Sequence, residues 1–441
     1  MRRRAFLAMT LGGLAAWGGA PSSARAQAPA PARSYVRTRL PNGFTLLVRE
    51  NPTAPVVAMS LLTRMGTRWE TPAAAGISNL LQLMVVRGTQ RLDGGQIVEA
   101  ADRMGGSIDA YGDVDNAEIP ATALSRHAAE MLDLVADIAL TPTIPTGTTG
   151  AVRDFILNQI RNRRDKPYDV ALDTLLARLY GTNGYAWTPT GRRESVERMD
   201  RETLIGQYRR FYLPGEMFLA VSGQVRAAEV LAQVEKRFGA IPAGPRPPLS
   251  PAPLPPMAAS REVLEVPGAQ AQILAGGHAP SMTEPDHAAV KVLGAILGGG
   301  LAARFFSELR DKQGLAYTTG LIYPARVDRA YVLAQLGTAP ENVERAEAAL
   351  REQLTRIQRE PASAEEIRVA KAYILGNLAM DRRTNARQAW YLAAYEAAGV
   401  GQEFLDRYSA DVKNVTAADV QRVAQLYLAT LRTVIVRPPK P

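Results

Sequence analysis

Apolar residues recur at helical spacing in the segment GISNLLQLMVVRGTQRL, residues 76–92. Four of them share one stripe: Ile77, Leu80, Leu81 and Met84. This spacing predicts a helix whose stripe packs against a core. Upstream, Thr71 and Pro72 suit the N-cap and the first helical position, and Gly88 suits the end of the helix.

The opposite face of this predicted helix carries Asn79, Gln82, Leu83 and Val86. A surface helix normally presents charged side chains on the face away from the core. Here that face is uncharged, and the apolar periodicity alone does not explain why.

The Pro-rich segment 240–260, AIPAGPRPPLSPAPLPPMAAS, divides the rest of the pattern into two halves. It holds eight Pro in 21 residues, a composition typical of a stiff linker between two bodies. Residues 34–239 begin with strand, Asn-Gly turn and strand in TRLPNGFTLLVRE, and continue with mixed strands and amphipathic helices.

Residues 261–441 repeat this order of elements. Both halves also end alike, in helix, aromatic exit and strand: LIGQYRRFYLPGEMFLAVSG and DVQRVAQLYLATLRTVIVRP. The repetition predicts an internal duplication. We therefore expect an α+β protein of two tandem homologous domains, each with a mixed, mostly antiparallel sheet packed with helices.

The first 26 residues predict an export signal. They combine a basic start, a short apolar stretch and an A-x-A-like cleavage site at Ala24-Arg25-Ala26. The RRAFL segment is similar to a twin-arginine signal. A membrane anchor is the alternative. No other segment approaches 18 uninterrupted apolar residues, so we expect a periplasmic chain without a stable membrane span after cleavage.

Composition excludes several classes of function. The net charge of +9 includes four Arg within residues 1–26, and the remaining sequence has no basic block, which argues against a nucleic-acid partner. There is no Cys, and no two of His127, His278 and His287 have helical pair spacing. Disulfides, thiolate chemistry and a His-pair zinc site on one helix are therefore excluded.

Two motifs carry a resemblance to a known family. GISNLLQLMVVRGT in the first half is flanked by RMGTRWE and DKPYD, and the second half contains LGGGLAARFFSELRDKQGLAY, residues 297–317. On these residues the chain resembles the pitrilysin/insulinase family of metallopeptidases, particularly the short two-domain branch that includes the mitochondrial processing peptidase. The resemblance covers essentially the whole chain after the predicted signal.

The family's catalytic motif, H-x-x-E-H, implies two His and a downstream Glu as zinc ligands and a Glu that activates water. The matching positions here are Asn79, Gln82, Leu83 and, downstream, Gln159. The resemblance therefore implies an uncharged chamber face, no metal or other cofactor on this chain, and no activity from this chain alone. The alternative is an ordinary core helix, against which the second motif and the spacing of Gln159 argue.

The second motif keeps the residues that the family pattern requires, Arg310 and Tyr317. In related enzymes this pair comes from the second domain and meets the zinc site across a closed chamber. The alternatives are a helix C-cap for the Arg and core packing with a tethered hydroxyl for the Tyr. The triplet Gly298, Gly299 and Gly300 suits a tight turn between helices, and the resemblance also links such a segment to substrate admission.

These observations predict a non-catalytic, substrate-binding subunit of an exported heterodimeric zinc metallopeptidase. Zinc would be held by a homologous partner with an intact motif, and the pair would enclose unfolded peptides. The alternative is a structural or peptide-binding protein without a catalytic partner, as in the family's scaffold subunits of respiratory complexes. A different catalytic centre has no support, since the sequence lacks Cys and a G-x-S-x-G elbow.

Overall fold

A computed structural model describes residues 35–249 and 251–439. The predicted signal, residues 1–26, and its cleavage site lie outside these described residues. Within the described ranges, no helix has the length and apolar character needed to cross a membrane.

The first half consists of the following strands and helices: β1 (Val36–Arg39), β2 (Thr45–Glu50), β3 (Val56–Thr63), α1 (Ile77–Val85), α2 (Gly94–Arg103), β4 (Ser107–Ile108), β5 (Tyr111–Gly112), β6 (Ala117–Leu124), α3 (Ala128–Leu140), α4 (Thr146–Arg164), α5 (Pro167–Tyr180), α6 (Arg193–Val196), α7 (Arg201–Phe211), β7 (Met217–Gly223) and α8 (Ala227–Phe238). The Asn-Gly turn predicted between the first two strands is present, with Gly43 at a φ of 95°.

The second half consists of β8 (Ser260–Glu265), β9 (Ala271–Ala279), α9 (His287–Gly298), a π-helix (Phe305–Lys312), β10 (Thr318–Ile322), β11 (Ala330–Thr338), α10 (Val343–Arg359), α11 (Ala364–Asp381), α12 (Asn385–Ala397), α13 (Phe404–Asn414), α14 (Ala417–Tyr427) and β12 (Arg432–Arg437).

The two sheets have the same internal order. The first contains β2-β7-β3-β6-β4, with β1 beside β2 and β5 also paired with β6, and the second reads β8-β12-β9-β11-β10. Each has one parallel pair, β2 with β7 and β8 with β12, and its other pairs are antiparallel. The predicted α+β class and duplicated, mostly antiparallel architecture are confirmed.

One face of each sheet packs against helices of its own half. The first core contains Leu61, Leu80 and Val135, and the second contains Ile273, Leu293 and Leu350. The opposite face of each sheet is covered by a helix from the other half.

Helix α5 of the first half lies on the second sheet, where Leu175 and Leu179 pack with Leu274, Leu333 and Val434. Its counterpart in the duplication, α12, lies on the first sheet. There the apolar cluster consists of Ala389, Leu392 and Ala393 from the helix with Leu47, Leu62 and Phe218 from the strands. This reciprocal exchange buries the second face of both sheets.

Polar contacts reinforce this contact between the halves. The guanidinium of Arg68 donates to both carboxylate oxygens of Asp328, at 2.6 and 2.7 Å. The buried carboxylate of Asp115 accepts from the Tyr185 hydroxyl at 2.5 Å and from the Val327 N–H at 3.3 Å. Together these bonds fix the loop between β10 and β11 against the first half.

The Pro-rich segment runs along this contact instead of spanning a gap. Residues 242–249 and 251–259 form neither helix nor strand. The Asn183 amide donates to the Ala252 carbonyl at 3.0 Å, and the Arg432 guanidinium donates to the Pro256 carbonyl at 2.9 Å. The expectation of a spacer between separate bodies is therefore wrong, because the exchanged helices hold the halves in direct contact.

We predict that Leu175→Ala lowers the free energy of unfolding by about 2–5 kcal/mol, because the fully buried side chain leaves a cavity between the halves. The measurement is urea unfolding followed by fluorescence and far-UV circular dichroism. Both signals should shift together in one transition. The control is Leu426→Ala, at a side chain that is 60% exposed, with an expected change under about 0.5 kcal/mol. Separate transitions, with only the second half affected, would show that the halves fold independently.

Candidate functional site

The first candidate segment is helix α1, which begins at Ile77 and ends at Val85. The predicted start at Thr71 and Pro72 is wrong: Pro72–Ala74 forms a separate 3₁₀ turn. The cause is Gly76, whose φ of 96° is not helical and therefore separates the 3₁₀ turn from α1. A Cβ at this position would lie 2.9 Å from the Cα of Gly191.

A buried carboxylate caps this helix. Glu70 accepts hydrogen bonds from the Gly76 N–H at 2.8 Å, the Ser78 N–H at 2.9 Å and the Trp187 indole at 2.8 Å. Burial raises the pKa of Glu70, and the three donors act in the opposite direction. The sequence does not predict this role of Glu70, because a Glu in RMGTRWE carries no local sign that it caps a helix that begins seven residues later.

Gln82, which matches the catalytic Glu of the family motif, is only 1% exposed. Its amide donates to the Glu118 carbonyl at 2.8 Å and accepts from the Tyr212 hydroxyl at 2.7 Å. The expectation that Gln82 faces an open chamber beside Asn79 and Leu83 is therefore wrong. Strand β6 and the exit of α7 enclose the amide and satisfy its hydrogen bonds.

Asn79 and Leu83, which match the two His ligands, are half-buried. The side-chain oxygen of Asn79 lies 3.4 Å from the Gly112 N–H as acceptor, and a Cβ at Gly112 would lie 2.8 Å from the Asn79 Cα. Leu83 packs against the first core. Gln159, also half-buried, lies on α4, which packs against α1. The fold thus brings together the two helices that carry all four positions.

The side chains at these positions do not fit a zinc ion. Leu83 has no donor atom, Asn79 and Gln159 are neutral amides, and the Gln82 amide is engaged in the hydrogen bonds described above. Across the described residues, no group of three or more His, Cys, Asp or Glu side chains is placed to hold a metal ion. These side chains therefore give no basis for metal-dependent chemistry on this chain.

The second candidate segment carries Arg310 on the π-helix and Tyr317 just before β10. The Arg310 guanidinium lies 4.6 Å from the Phe306 ring centroid and, among the described residues, has no hydrogen-bond or ion-pair partner. Tyr317 is 56% exposed, and its backbone N–H donates to the Gly337 carbonyl at 2.9 Å. The alternative of a buried Tyr is therefore wrong, whereas Arg310 does lie in the last turn of its helix, as the alternative of a C-terminal cap requires. The role of both residues in binding substrate stays a prediction.

The glycine triplet forms the predicted turn between two helices, here α9 and the π-helix. A Cβ at Gly298 would lie 2.1 Å from the backbone nitrogen of Leu321, so the end of α9 approaches β10 more closely than any side chain permits. Gly300 adopts a φ of 132° beside the ring of Tyr373. Gly299 lies between them as the C-cap of α9. A role in substrate admission stays a prediction.

The three His have local structural contacts. His127 lies 3.1 Å from Glu130 at the start of α3, and His278 lies 2.9 Å from the Leu179 carbonyl. His287 is buried at the start of α9, 2.8 Å from the hydroxyl of Tyr323, which itself donates to the Pro280 carbonyl at 2.8 Å. The hydroxyl therefore accepts from His287 Nδ1–H. Burial, and secondarily the charge of Lys291, lowers the pKa of His287 to about 3.

The comparisons with known proteins agree with this architecture. The model described as Insulinase (Peptidase family M16) matches residues 45–188, and the model described as Peptidase M16 inactive domain matches residues 198–374. A protein named uncharacterized zinc protease from Rickettsia bellii is 24% identical over 411 residues, 91% of this chain and 97% of its own. One of the same name from Mycobacterium leprae is 27% identical over 350 residues, 78% of each chain.

Two solved structures share the fold. A peptidase M16 inactive domain from Pseudomonas fluorescens has a TM-score of 0.84 at 22% identity, covering 92% of this chain and 100% of its own. A protease from Helicobacter pylori has a TM-score of 0.86 at 20% identity, with the same coverage.

Fold and site together define a two-domain, metallopeptidase-like chain with an altered metal helix. The chain belongs to the insulinase family of peptidases, M16, which confirms the resemblance drawn from its motifs. The match of residues 198–374 to the inactive-domain model, together with the unsuitable side chains on α1 and α4, supports a non-catalytic M16-like subunit.

We predict that the free energy of unfolding falls by roughly 2 kcal/mol between pH 6.5 and pH 5 on account of His287. The unfolded chain binds a proton below the ordinary pKa of 6.5, whereas the folded chain does so only near 3. His287→Asn, whose amide also donates to Tyr323, should flatten this part of the curve. Urea unfolding at pH 7, 6 and 5 measures the slope. His127→Asn, at a half-buried His beside Glu130, is the control, and parallel curves for wild type and His287→Asn would contradict the prediction.

We also predict that the triple variant Asn79→His, Leu83→His, Gln159→Glu binds about one zinc ion per chain, because His at i and i+4 share a helix face and α4 packs against α1. Metal analysis after dialysis against limiting zinc measures the stoichiometry. The two-His variant that retains Gln159 is the control and should bind zinc more weakly. A folded triple variant without zinc would show that these three positions do not match the family's metal ligands.

Proposed function

We propose that this chain is the non-catalytic, substrate-binding subunit of an exported heterodimeric zinc metallopeptidase. In this proposal it supplies Arg310 and Tyr317 to a zinc site on a homologous partner chain. The partner carries the intact H-x-x-E-H motif, and the two chains enclose unfolded peptides. Export rests on the signal-like composition of residues 1–26.

One contrast between the halves supports the proposal. The positions that would hold zinc carry amides and an alkyl group, and Gln82 is closed into internal hydrogen bonds. By contrast, Arg310 and Tyr317 are exposed, and neither side chain has a hydrogen-bond partner among the described residues. A chain that needed these side chains only for its own stability would bury or pair them.

The chemistry of the pair suits the proposed task. A guanidinium and a phenol donate hydrogen bonds without holding a metal, and both stabilise negative charge that develops on a scissile carbonyl oxygen. The Phe306 ring under the Arg310 guanidinium orients the side chain and leaves its N–H groups for a ligand.

The test combines the purified chain with the intact-motif homologue encoded in the same genome. A quenched fluorescent, unstructured peptide serves as substrate. The mixture should hydrolyse it in a zinc-dependent manner, and Arg310→Ala should lower kcat/KM on the order of 10²-fold, the loss typical of one oxyanion donor. Tyr317→Phe should also reduce the rate, because it removes the hydroxyl that would donate to the scissile carbonyl oxygen and keeps the ring.

The matched control is Arg407→Ala, since Arg407 is also exposed and lies 5.6 Å from an aromatic ring, that of Phe404. Its rate should equal that of wild type. Full activity of the homologue by itself, unchanged by addition of this chain, would refute the proposal. Peptide binding without any hydrolysis in the mixture would instead favour a structural or peptide-binding protein without a catalytic partner.

A further inference from the structure

The duplication allows the two halves to be compared element by element, and one helix of the first half has no counterpart among the described residues of the second. Helix α8 follows β7 and packs against β2 and α3. Its apolar side is formed by Val230, Val234 and Phe238, all buried, and the Phe238 ring stacks on Phe44 at 4.3 Å. Beneath this helix the first four residues of β2 are buried.

Strand β8 occupies the position of β2 in the second sheet, since each pairs in parallel with the strand that ends its half. No described helix covers it, and all six of its residues are exposed or half-buried. The second residue of β2 is the buried Leu46, whereas the second residue of β8 is Arg261, which bonds to Glu347 at 2.9 Å. Among the described residues, therefore, no helix of the second half covers the surface that corresponds to the one beneath α8. This surface is the open seat.

A continuous groove marks this open seat. A charged cavity of about 780 Å³ lies along β8 and α10, and its lining includes Arg261, Ala348 and Glu352. It shares Glu347, Arg351 and Thr355 with an adjoining cavity of about 260 Å³. The adjoining cavity has apolar walls: Ile273, Leu350, Leu354 and Leu428.

The charges of the occupied seat indicate what the open one binds. In the first half, Arg237 of α8 forms ion pairs with Asp133 and Asp137 of α3. Asp137 is the tenth residue of α3, and the tenth residue of α10 is Glu352. Glu352 lines the groove and has no ion-pair partner among the described residues. Counted from the start of each helix, the exposed Glu352 therefore takes the place of the buried Asp137, and the open seat has an acidic group on α10.

We propose that the groove between β8 and α10 docks an amphipathic helix of another polypeptide. The docked helix has the chemistry of α8: apolar residues at i, i+4 and i+8, and a basic residue in its last turn that pairs with Glu352. This inference stands apart from the proposed zinc partner, because it rests only on the duplication.

Two other occupants fit less well. In a second copy of this chain, α8 is already held in its own half by the contacts of Arg237 and Phe238. Residues 27–34, QAPAPARS, precede the described chain and contain no large apolar side chain, so they lack the stripe that the groove requires.

The test uses a fluorescein-labelled peptide of residues 225–239, VRAAEVLAQVEKRFG, as the probe. Anisotropy titration against the full chain should give saturable binding with a Kd on the order of 10–100 μM, a modest affinity because the free peptide must pay for helix formation. The tethered α8 keeps its own seat, since its effective concentration exceeds that of the added peptide.

Reversal of charge on the chain and on the peptide tests whether the peptide binds in the groove. Glu352→Arg should weaken binding about tenfold, and the peptide with Arg237→Glu should restore it on this variant only. Ala348→Trp, at an exposed position in the groove, should abolish binding. Glu341→Arg, exposed just before α10 and outside the groove, is the control and should leave the Kd unchanged. Thermal unfolding confirms that each variant is folded.

Absence of saturable binding, or binding that the cycle and Ala348→Trp leave unchanged, would overturn the proposal. So would a dimer of this chain in sedimentation that Glu352→Arg or Ala348→Trp dissociates, because a second copy would then occupy the groove.

Discussion

Burial of the second face of each sheet is the constraint on which the rest of the structure depends. Each half covers one face with its own helices, and the other face is closed by α5 or α12 from the opposite half. Without the exchange, apolar strand residues such as Leu274 and Leu62 would meet water at a cost of roughly 2 kcal/mol each. The two halves therefore stabilise one another, and the Pro-rich segment follows this contact instead of separating two independent bodies.

The same packing explains why a helix without its catalytic residues keeps its place. Glu70 and Gly76 fix the start of α1, and α4, α7 and β5 pack around it. A carboxylate at position 82 would lie against the Glu118 carbonyl, which repels it, whereas the Gln82 amide donates to that oxygen. The Gln82 amide therefore forms internal hydrogen bonds at the position that matches the catalytic Glu of the family motif, and it cannot take a proton from water.

Sequence pattern predicted those features that depend on nearby residues. Periodicity and spacing predict the order of elements and the duplication, whereas the motifs around Asn79 and Arg310 follow from the resemblance to the family. Sequence pattern did not predict the start of α1, because Gly76 adopts its conformation against Gly191, far along the chain. Nor did it predict the burial of Gln82 or the helix exchange. An amphipathic pattern predicts that one face of a helix is buried, but it does not predict which sheet covers that face.

The two halves of the duplication also differ in which of their surfaces are covered. In the first half, α8 covers β2, and the degenerate zinc positions are closed by internal contacts. In the second half, β8 lies uncovered, Glu352 has no ion-pair partner among the described residues, and Arg310 and Tyr317 extend into solvent. Both proposals therefore place the contacts with other molecules on the second half, and not on the half that matches the Insulinase (Peptidase family M16) model.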